Sequence, residues 1–223
     1  MKSKKLAGEK AVEYIQNNTL VGLGTGSTVY YTIVKLAERV KSGLNVKCVS
    51  TSSSTTKLAK ELGINMVPLH EIEYIDVTID GADEVDCKLN GIKGGGGALL
   101  YEKLVAKASK KVIWVVDSNK KVETLGKFPL PIEVVPFSYK QLYDKFYSLG
   151  YNPSIRMLNE SYYVTDAQHY IIDLHLDKIE NPYVLEKELK MMSGVVDTGL
   201  FLDMADTVII GYEDEDKVKI IER

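Results

Sequence analysis

The sequence predicts an α/β protein in which an open parallel sheet is interrupted by a smaller α+β domain. In the first half of the chain, short apolar strands alternate with amphipathic helices, a pattern typical of a parallel sheet covered by helices. After about residue 128 this rhythm changes, because prolines stand at positions 129, 131 and 136 and the later elements have antiparallel character. The apolar run at 207–211 again suits a sheet core, so we expect the chain to return to the first domain.

The predicted elements of the first domain alternate regularly. Helices are expected at about residues 4–16 and 28–41, in a segment that ends near Gly63, and directly after the glycines at 94–97. Strands are expected at about residues 20–23, 45–49, 75–80 and 112–116. The serines and threonines that begin at residue 50 can cap the third helix. This order predicts a Rossmann-like open sheet.

The second domain has fewer helices. Strands are predicted near residues 132–135, 155–158, 162–165, 170–176 and 195–201, with one helix capped by Ser138 and another after Pro182. This order predicts a split βαβ, ferredoxin-like domain. We therefore place a Rossmann-like catalytic domain at residues 1–127 and 203–223, and an inserted α+β domain at residues 128–202.

The composition narrows the class of protein. Of 223 residues, 45% are hydrophobic and 26% are charged, so the chain can bury a sizeable core. Its 28 basic and 31 acidic residues give a net charge of −3, which argues against a nucleic-acid partner. No apolar run approaches the roughly 20 residues that span a bilayer, and the N-terminus lacks a signal-peptide pattern. We expect no membrane association, a cytoplasmic location and free thiols at Cys48 and Cys87.

Polar or glycine-rich loops follow four of the predicted strands. They read G-T-G-S-T at 24–28, S-T-S-S-S-T at 50–55, D-G-A-D at 80–83 and D-S-N-K at 117–120. Because ligands of open parallel sheets bind beyond the carboxyl ends of the strands, we expect these loops to converge on one site.

The most informative feature is the run K-G-G-G-G at 93–97, which leads directly into a helix. Bare glycine backbone allows amides to face an anion, and the helix N-terminus would point at the same place. Glu102 lies one turn into this helix, on a stripe with Leu99 and Val105, and such surroundings raise the pKa of a carboxyl. A carboxylate in a dry pocket beside amides and a lysine can abstract a proton next to a carbonyl. The alternative is an ordinary first-turn glutamate that complements the helix dipole.

The loop at 25–28 suits one phosphate. It lacks the third glycine of the dinucleotide-binding motif and the Gly-Lys-Ser/Thr of a P-loop. Thr25, Ser27 and Thr28 offer hydroxyls, Gly26 allows close backbone approach, and a helix begins next. The alternative is a plain turn between a strand and a helix.

Two groups of acidic residues could mimic metal sites. Asp80 and Asp83 could bind a divalent metal, hold sugar hydroxyls or solvate a turn, and hydroxyl binding fits better because the loop lacks the further acidic positions of a calcium site. Asp173, His175 and Asp177 share one face of a predicted strand. A solvated face is favoured there, because this is ordinary half-buried patterning.

In combination, these motifs resemble those of ribose-5-phosphate isomerases of type A. They are V-G-L-G-T-G-S-T, S-T-S-S-S-T, D-G-A-D-E-V-D, I-K-G-G-G-G-A-L-L-Y-E-K, G-K-F-P-L-P-I-E-V-V-P and G-V-V-D-T-G-L-F, in this order. The resemblance spans nearly the whole chain. It implies interconversion of D-ribose 5-phosphate and D-ribulose 5-phosphate through an enediolate, in the pentose phosphate pathway. It also implies a sugar phosphate as the small-molecule partner, no metal or organic cofactor, and a homo-oligomer, usually a dimer or tetramer.

The resemblance implies a role for each motif. Glu102 matches the catalytic base. Asp80 and Asp83 also match catalytic positions. Together with Lys93, these positions hold the sugar hydroxyls and assist ring opening and charge stabilisation. The remaining substrate contacts fall on Thr25, Gly26, Ser27, Thr28, Gly81, Ala82, Gly94, Gly95, Gly96 and Lys120.

Leu100 and Tyr101 depart from the family pattern, since relatives often have Thr and Arg there. The departure affects the expected contacts at the helix face and not the assignment of the base.

Two other functions share parts of the pattern. A coenzyme A transferase uses a glutamate beside glycine-rich backbone as a nucleophile, and a sugar-phosphate sensor could keep the same pocket without turnover.

Overall fold

The computed structural model describes residues 1–213 and 217–223. Its α-helices are α1 (Lys2–Ala11), α2 (Val29–Lys41), α3 (Ser53–Glu61), α4 (Leu99–Lys107), α5 (Tyr139–Ser148) and α6 (Pro182–Lys190). Its strands are β1 (Thr19–Leu23), β2 (Val46–Ser50), β3 (Val77–Asp80), β4 (Glu84–Val85), β5 (Gly91–Ile92), β6 (Val112–Asp117), β7 (Leu130–Val134), β8 (Pro153–Ile155), β9 (Met157–Leu158), β10 (Ser161–Tyr162), β11 (Tyr170–Leu174), β12 (Val195–Thr198), β13 (Leu200–Phe201), β14 (Thr207–Tyr212) and β15 (Lys217–Glu222). Within the described residues, no helix combines the length and apolar character that a membrane span requires.

Six strands form one open sheet in the order β15-β14-β6-β3-β1-β2. Its strands pair in parallel from β2 to β14, and β15 adds an antiparallel edge beside β14. As predicted, the chain returns to this sheet with β14. Because the strands are parallel, the segments that follow β1, β2, β3 and β6 leave the sheet at the same edge.

Both faces of this sheet are buried, which explains the continuous apolar run of β6. Side chains of a strand point alternately to opposite faces. Ile113 and Val115 pack into the core beneath α1 and α2. Trp114 and Val116 point the other way and join Leu99 of α4 in a second core. Helix α4 therefore lies against the sheet, next to its carboxyl edge.

A second, antiparallel sheet has the strand order β12-β7-β11-β8. Its elements follow each other as β7, α5, β8, β11, α6 and β12, which is a ferredoxin-like βαββαβ arrangement. Its core contains Ile132, Phe146, Ile172 and Leu189. The predicted fold class is confirmed, while the residue boundaries between the two domains stay a prediction.

The strand predicted at 195–201 is in fact two strands divided at Gly199. β12 stays in the small sheet, whereas β13 joins a separate sheet in the order β13-β5-β4. Gly199 donates a hydrogen bond to the Pro131 carbonyl at 2.6 Å and accepts one from Lys93 N at 2.9 Å. A Cβ on Gly199 would lie 2.5 Å from the Lys93 carbonyl oxygen, so the chain changes sheets where it has no side chain.

Three further details differ from expectation. Asp173 does not lie on a solvated face, because its side chain is only 15% exposed and forms an ion pair with Arg156. Ser138 precedes α5 but its side chain makes no capping hydrogen bond. β15 is not predicted from the sequence, because it is an edge strand whose residues are mostly exposed and its apolar pattern is therefore weak.

Gly22 allows α4 to approach the central strand β1. A Cβ at Gly22 would lie 1.9 Å from Thr78 Oγ1 and 2.9 Å from Val105 Cγ1. Because overpacking a filled core costs about 1–3 kcal/mol, we expect Gly22→Ala to lower the free energy of unfolding by that amount in urea denaturation. The matched control is Gly81→Ala, where the nearest atom to a new Cβ lies at 3.7 Å. Equal losses of stability in the two variants would contradict this account.

Candidate functional site

Three of the four loops predicted to converge line one cavity of about 130 Å³. Its lining residues are Lys4, Thr25, Gly26, Ser27, Thr28, Gly81, Ala82, Asp83, Lys93, Gly94, Gly96, Glu102 and Lys120. Of the predicted site residues, Asp80 and Gly95 are not in the lining: Asp80 is buried against Lys93, and Gly95 is exposed. Residues 50–55 do not line the cavity; they support it from behind, because the Thr25 hydroxyl contacts Thr51 Oγ1 at 2.8 Å and Ser52 Oγ at 2.7 Å.

Lys93 is the centre of the site, although its side chain is only 2% exposed. Its ammonium group lies 2.9 Å from Asp80 Oδ2 and 3.1 Å from Glu102 Oε1, and it donates to the Gly81 carbonyl at 2.6 Å. Burial by itself would lower the pKa of Lys93, but the charges of Asp80 and Glu102 outweigh it and raise this pKa. The ammonium therefore stays protonated and uses all three of its donors.

Asp80 connects the end of β3 to the loop after β1. Its Oδ1 accepts hydrogen bonds from Thr25 N at 3.1 Å and Gly81 N at 2.7 Å. The carboxylate fits there only because residue 24 is a glycine, since a Cβ on Gly24 would lie 1.8 Å from Asp80 Oδ1. Asp80 thus holds Lys93 with one oxygen and the backbone of two loops with the other.

Glu102 projects from the first turn of α4 and is 5% exposed. One carboxylate oxygen contacts Lys93, whereas Oε2 has no hydrogen-bond partner among the described residues. Burial, followed by the negative charge of Asp80, raises the pKa of Glu102 to about 8 from 4.5, against the opposing effect of Lys93. The predicted rise is present, and the free oxygen is available to accept a proton.

Asp83 contacts the glycine-rich loop rather than the lysine. Its Oδ2 accepts a hydrogen bond from Gly95 N at 2.8 Å. A Cβ on Gly95 would lie 2.8 Å from Asp83 Oδ1, so the glycine permits this close approach. Across the described residues, no three His, Cys, Asp or Glu side chains are grouped as metal ligands.

One corner of the cavity, at the start of α2, contains the Lys4 amine, and the Lys120 amine also lines the cavity. Lys4 of α1 donates to the Ser27 hydroxyl at 2.8 Å, and Lys120 follows β6 with its amine 5.6 Å from the centre of the Phe128 ring. Gly26 has a φ of +121° and nothing within 4 Å of the position of a Cβ. This corner offers one positive charge, a hydroxyl and helix amides to an anion, and Lys120 adds a second positive charge to the cavity lining.

Lys4 was missed in the sequence because it precedes the first strand and belongs to no loop motif. The topology contains a usable signal, however. A helix that precedes a strand of a parallel sheet usually runs antiparallel to it, so the helix begins at the carboxyl edge of the sheet. The first turn of α1 is therefore expected near the site, and Lys4 lies in this turn.

The raised pKa of Glu102 predicts a pH-dependent stability. The folded protein holds the Glu102 proton more firmly than the unfolded chain does, so this stabilisation is present below the ordinary pKa and is lost as the pH rises towards about 8. We expect Glu102→Gln to reduce the fall in unfolding free energy across this window, measured by urea denaturation at several pH values. Glu123→Gln, which changes an exposed carboxylate, should keep the wild-type slope. A wild-type slope in Glu102→Gln would contradict the shift.

Comparison with known proteins agrees with this geometry. The family model for ribose 5-phosphate isomerase A (phosphoriboisomerase A) matches residues 47–215. A ribose-5-phosphate isomerase A from Streptococcus pneumoniae is 51% identical over 212 residues, covering 95% of this chain and 93% of the relative. One from Lactiplantibacillus plantarum is 51% identical over 210 residues, covering 94% and 92%.

Solved structures give the same result. A D-ribose-5-phosphate isomerase in complex with phospho-erythronic acid superposes with a TM-score of 0.94 at 38% identity, covering 99% of this chain and 97% of that one. Ribose 5-phosphate isomerase from Plasmodium falciparum superposes with a TM-score of 0.93 at 37% identity and the same coverage. From its motifs, its fold and these relatives, the chain belongs to the ribose 5-phosphate isomerase A family.

Proposed function

We propose that this chain interconverts D-ribose 5-phosphate and D-ribulose 5-phosphate, with Glu102 as the base that moves the proton between C1 and C2. The observation that carries this proposal is the buried contact between Glu102 and Lys93, which places a proton acceptor and a fixed positive charge in one small cavity. Family membership favours neither a coenzyme A transferase nor a silent sensor.

Glu102 is suited to this step by its position and its pKa. In the open-chain aldose, Glu102 takes the proton from C2 and returns it to C1, while the O2 hydroxyl proton passes to O1. A base works best when its pKa lies near the working pH, and the pKa of about 8 meets that condition. Lys93 holds Oε1, so Oε2 is left to face the substrate.

Lys93 is suited to stabilise the enediolate through its charge, since its three N–H donors already have acceptors. Negative charge develops on the carbonyl oxygen as the carbon-bound proton leaves, and a charge already fixed in a dry site stabilises it without reorganisation. Asp80 keeps the ammonium protonated and aimed. In this proposal Asp83, whose Oδ2 accepts a hydrogen bond from Gly95 N, holds sugar hydroxyls and assists ring opening.

The other corner of the cavity suits the phosphate. Thr25, Gly26, Ser27 and Thr28 supply backbone amides and hydroxyls at the start of α2, and Lys4 and Lys120 supply charge. Because Lys93 already supplies the cation near the reacting oxygens, we propose turnover without a metal ion or organic cofactor. We also propose that the enzyme works in the cytoplasm as a homo-oligomer, as the family resemblance implies.

The main test compares wild type with Glu102→Gln in excess EDTA. We expect wild type to convert ribose 5-phosphate, and the variant to lose about 10²- to 10⁴-fold in kcat, because the amide cannot accept the proton. Substrate should still protect the variant against thermal unfolding. Wild-type turnover in Glu102→Gln would remove Glu102 as the base, and an inactive wild type would remove the proposed reaction.

The phosphate corner is tested by a pair of neighbouring lysines. We expect Lys4→Ala to raise KM for ribose 5-phosphate about 10-fold with little change in kcat, because its charge contacts the phosphate equally in ground and transition states. Inorganic phosphate should also inhibit Lys4→Ala less strongly. Lys5→Ala, on the same helix but with a side chain 58% exposed and paired with Glu9, should behave as wild type. Equal KM values for the two variants would contradict a phosphate contact at Lys4.

A further inference from the structure

The glycine-rich loop is held from outside the cavity by the small sheet. Arg156, between β8 and β9, donates through Nη1 to the Gly94 carbonyl at 2.7 Å and to the Gly95 carbonyl at 3.2 Å. The Tyr163 hydroxyl donates to the Gly96 carbonyl at 3.3 Å. Three successive carbonyls of the loop therefore accept from side chains of the α+β unit.

Arg156 is itself fixed by a carboxylate. Its Nε donates to Asp173 Oδ2 at 2.9 Å, and its Nη2 donates to Asp173 Oδ1. Both side chains are 15% exposed. A bidentate pair of this kind fixes the plane of the guanidinium as well as its position, so the Nη1 amino group is aimed at the loop.

The planarity of the peptide bond transmits this contact to the site. The carbonyl oxygen and the N–H of a trans peptide group point in opposite directions. Arg156 holds the Gly94 carbonyl, and Gly95 N of the same peptide group donates to Asp83 at 2.8 Å. Arg156 also holds the Gly95 carbonyl, so the N–H of Gly96, which lines the cavity, points away from Arg156.

The loop has little internal support, since the one backbone hydrogen bond within the described glycines 94–97 runs from Gly97 N to the Gly94 carbonyl at 2.9 Å. Four successive glycines offer no side chains to pack, and each has wide backbone freedom. Gly94 and Gly97 have φ values of +102° and +79°. The turn bond closes the ends of the loop but leaves the Gly95 carbonyl without a partner inside the loop, and Arg156 supplies that partner.

We propose that Arg156, held by Asp173, is a positioning residue for the isomerisation: it fixes the peptide groups 94–95 and 95–96, so that Asp83 keeps its amide partner and Gly96 N–H faces the charge that develops on the substrate. This inference rests on the proposed function, and it adds two residues that do not touch the cavity.

Arg156→Ala is the first variant to measure. We expect kcat to fall about 10- to 100-fold with a smaller change in KM, because misplaced donors weaken the transition state most. The kcat of Arg156→Lys should lie between those of wild type and Arg156→Ala, since an ammonium can reach a carbonyl but cannot form the bidentate pair with Asp173. If the two residues act as a unit, Arg156→Ala/Asp173→Ala should be no slower than Arg156→Ala.

Arg39→Ala separates positioning from stability. Arg39 also donates through Nη1 to two carbonyls, those of Val12 at 2.5 Å and Ile15 at 3.2 Å, but it lies outside the cavity. The Arg39→Ala substitution should lower the melting temperature without changing kcat or KM. All assays are run well below the melting temperature of each variant, where the chain is folded.

A binding readout keeps the inference independent of turnover. Phospho-erythronic acid carries both a phosphate and a carboxylate, whereas inorganic phosphate reaches only the phosphate corner. We expect Arg156→Ala to bind phospho-erythronic acid about 10-fold more weakly and inorganic phosphate as wild type does, by calorimetry.

The outcomes distinguish the two proposals. An inactive wild type refutes the reaction, and the ratio of the two affinities then still decides the role of Arg156. An active wild type with unchanged kcat and unchanged affinity ratio in Arg156→Ala refutes the positioning role alone. A kinetic loss equal to that of Arg39→Ala also refutes it, because a stability effect would then be sufficient.

Discussion

The site depends on one buried ammonium group that serves two carboxylates. Lys93 lies between Asp80 and Glu102, and all three side chains are almost completely removed from water. Removing one partner from a buried ion pair costs about 3–5 kcal/mol, because the other charge is left uncompensated. Burial raises the pKa of Glu102 most, and the negative charge of Asp80 raises it further, against the opposing effect of Lys93. The burial of a second carboxylate beside Asp80, which costs stability, is also what prepares the base.

Both units of the fold supply this arrangement. The parallel sheet brings Asp80 to its carboxyl edge, whereas Lys93 is tied through its backbone to Gly199, where the chain leaves the small sheet. The Phe201 ring lies between two buried ammonium groups, with its centre 5.2 Å from Lys93 Nζ and 4.9 Å from Lys103 Nζ. Lys103 in turn pairs with Asp197 of β12 at 2.6 Å. The α+β unit therefore supports both α4, which carries Glu102, and the glycine-rich loop.

Local patterns in the sequence predict those parts of the site that lie at the end of a strand or on the apolar stripe of a helix. The apolar stripe around Glu102 predicted its burial, and the loops after β1, β3 and β6 were recognised because parallel topology places strand ends together. Contacts across long separations gave no local signal. Asp173 looked like a solvated position, since its strand alternates as a half-buried strand does, and its partner Arg156 lies 17 residues earlier. Strands of two residues, such as β5 and β13, are too short to show a period.

The glycines of the loop also differ in what requires them. Gly95 and Gly97 are needed by the protein itself, since a Cβ would lie 2.8 Å from Asp83 Oδ1 or 2.2 Å from the Tyr163 hydroxyl. Gly96 has neither constraint: its φ is not in the left-handed region, and the nearest atom to a Cβ is Thr25 Cγ2 at 3.8 Å. Its own fold would accept a methyl group there. If the proposed function is correct, a glycine at 96 leaves room for the substrate beside the Gly96 amide, and a methyl group there would obstruct binding without disturbing the fold.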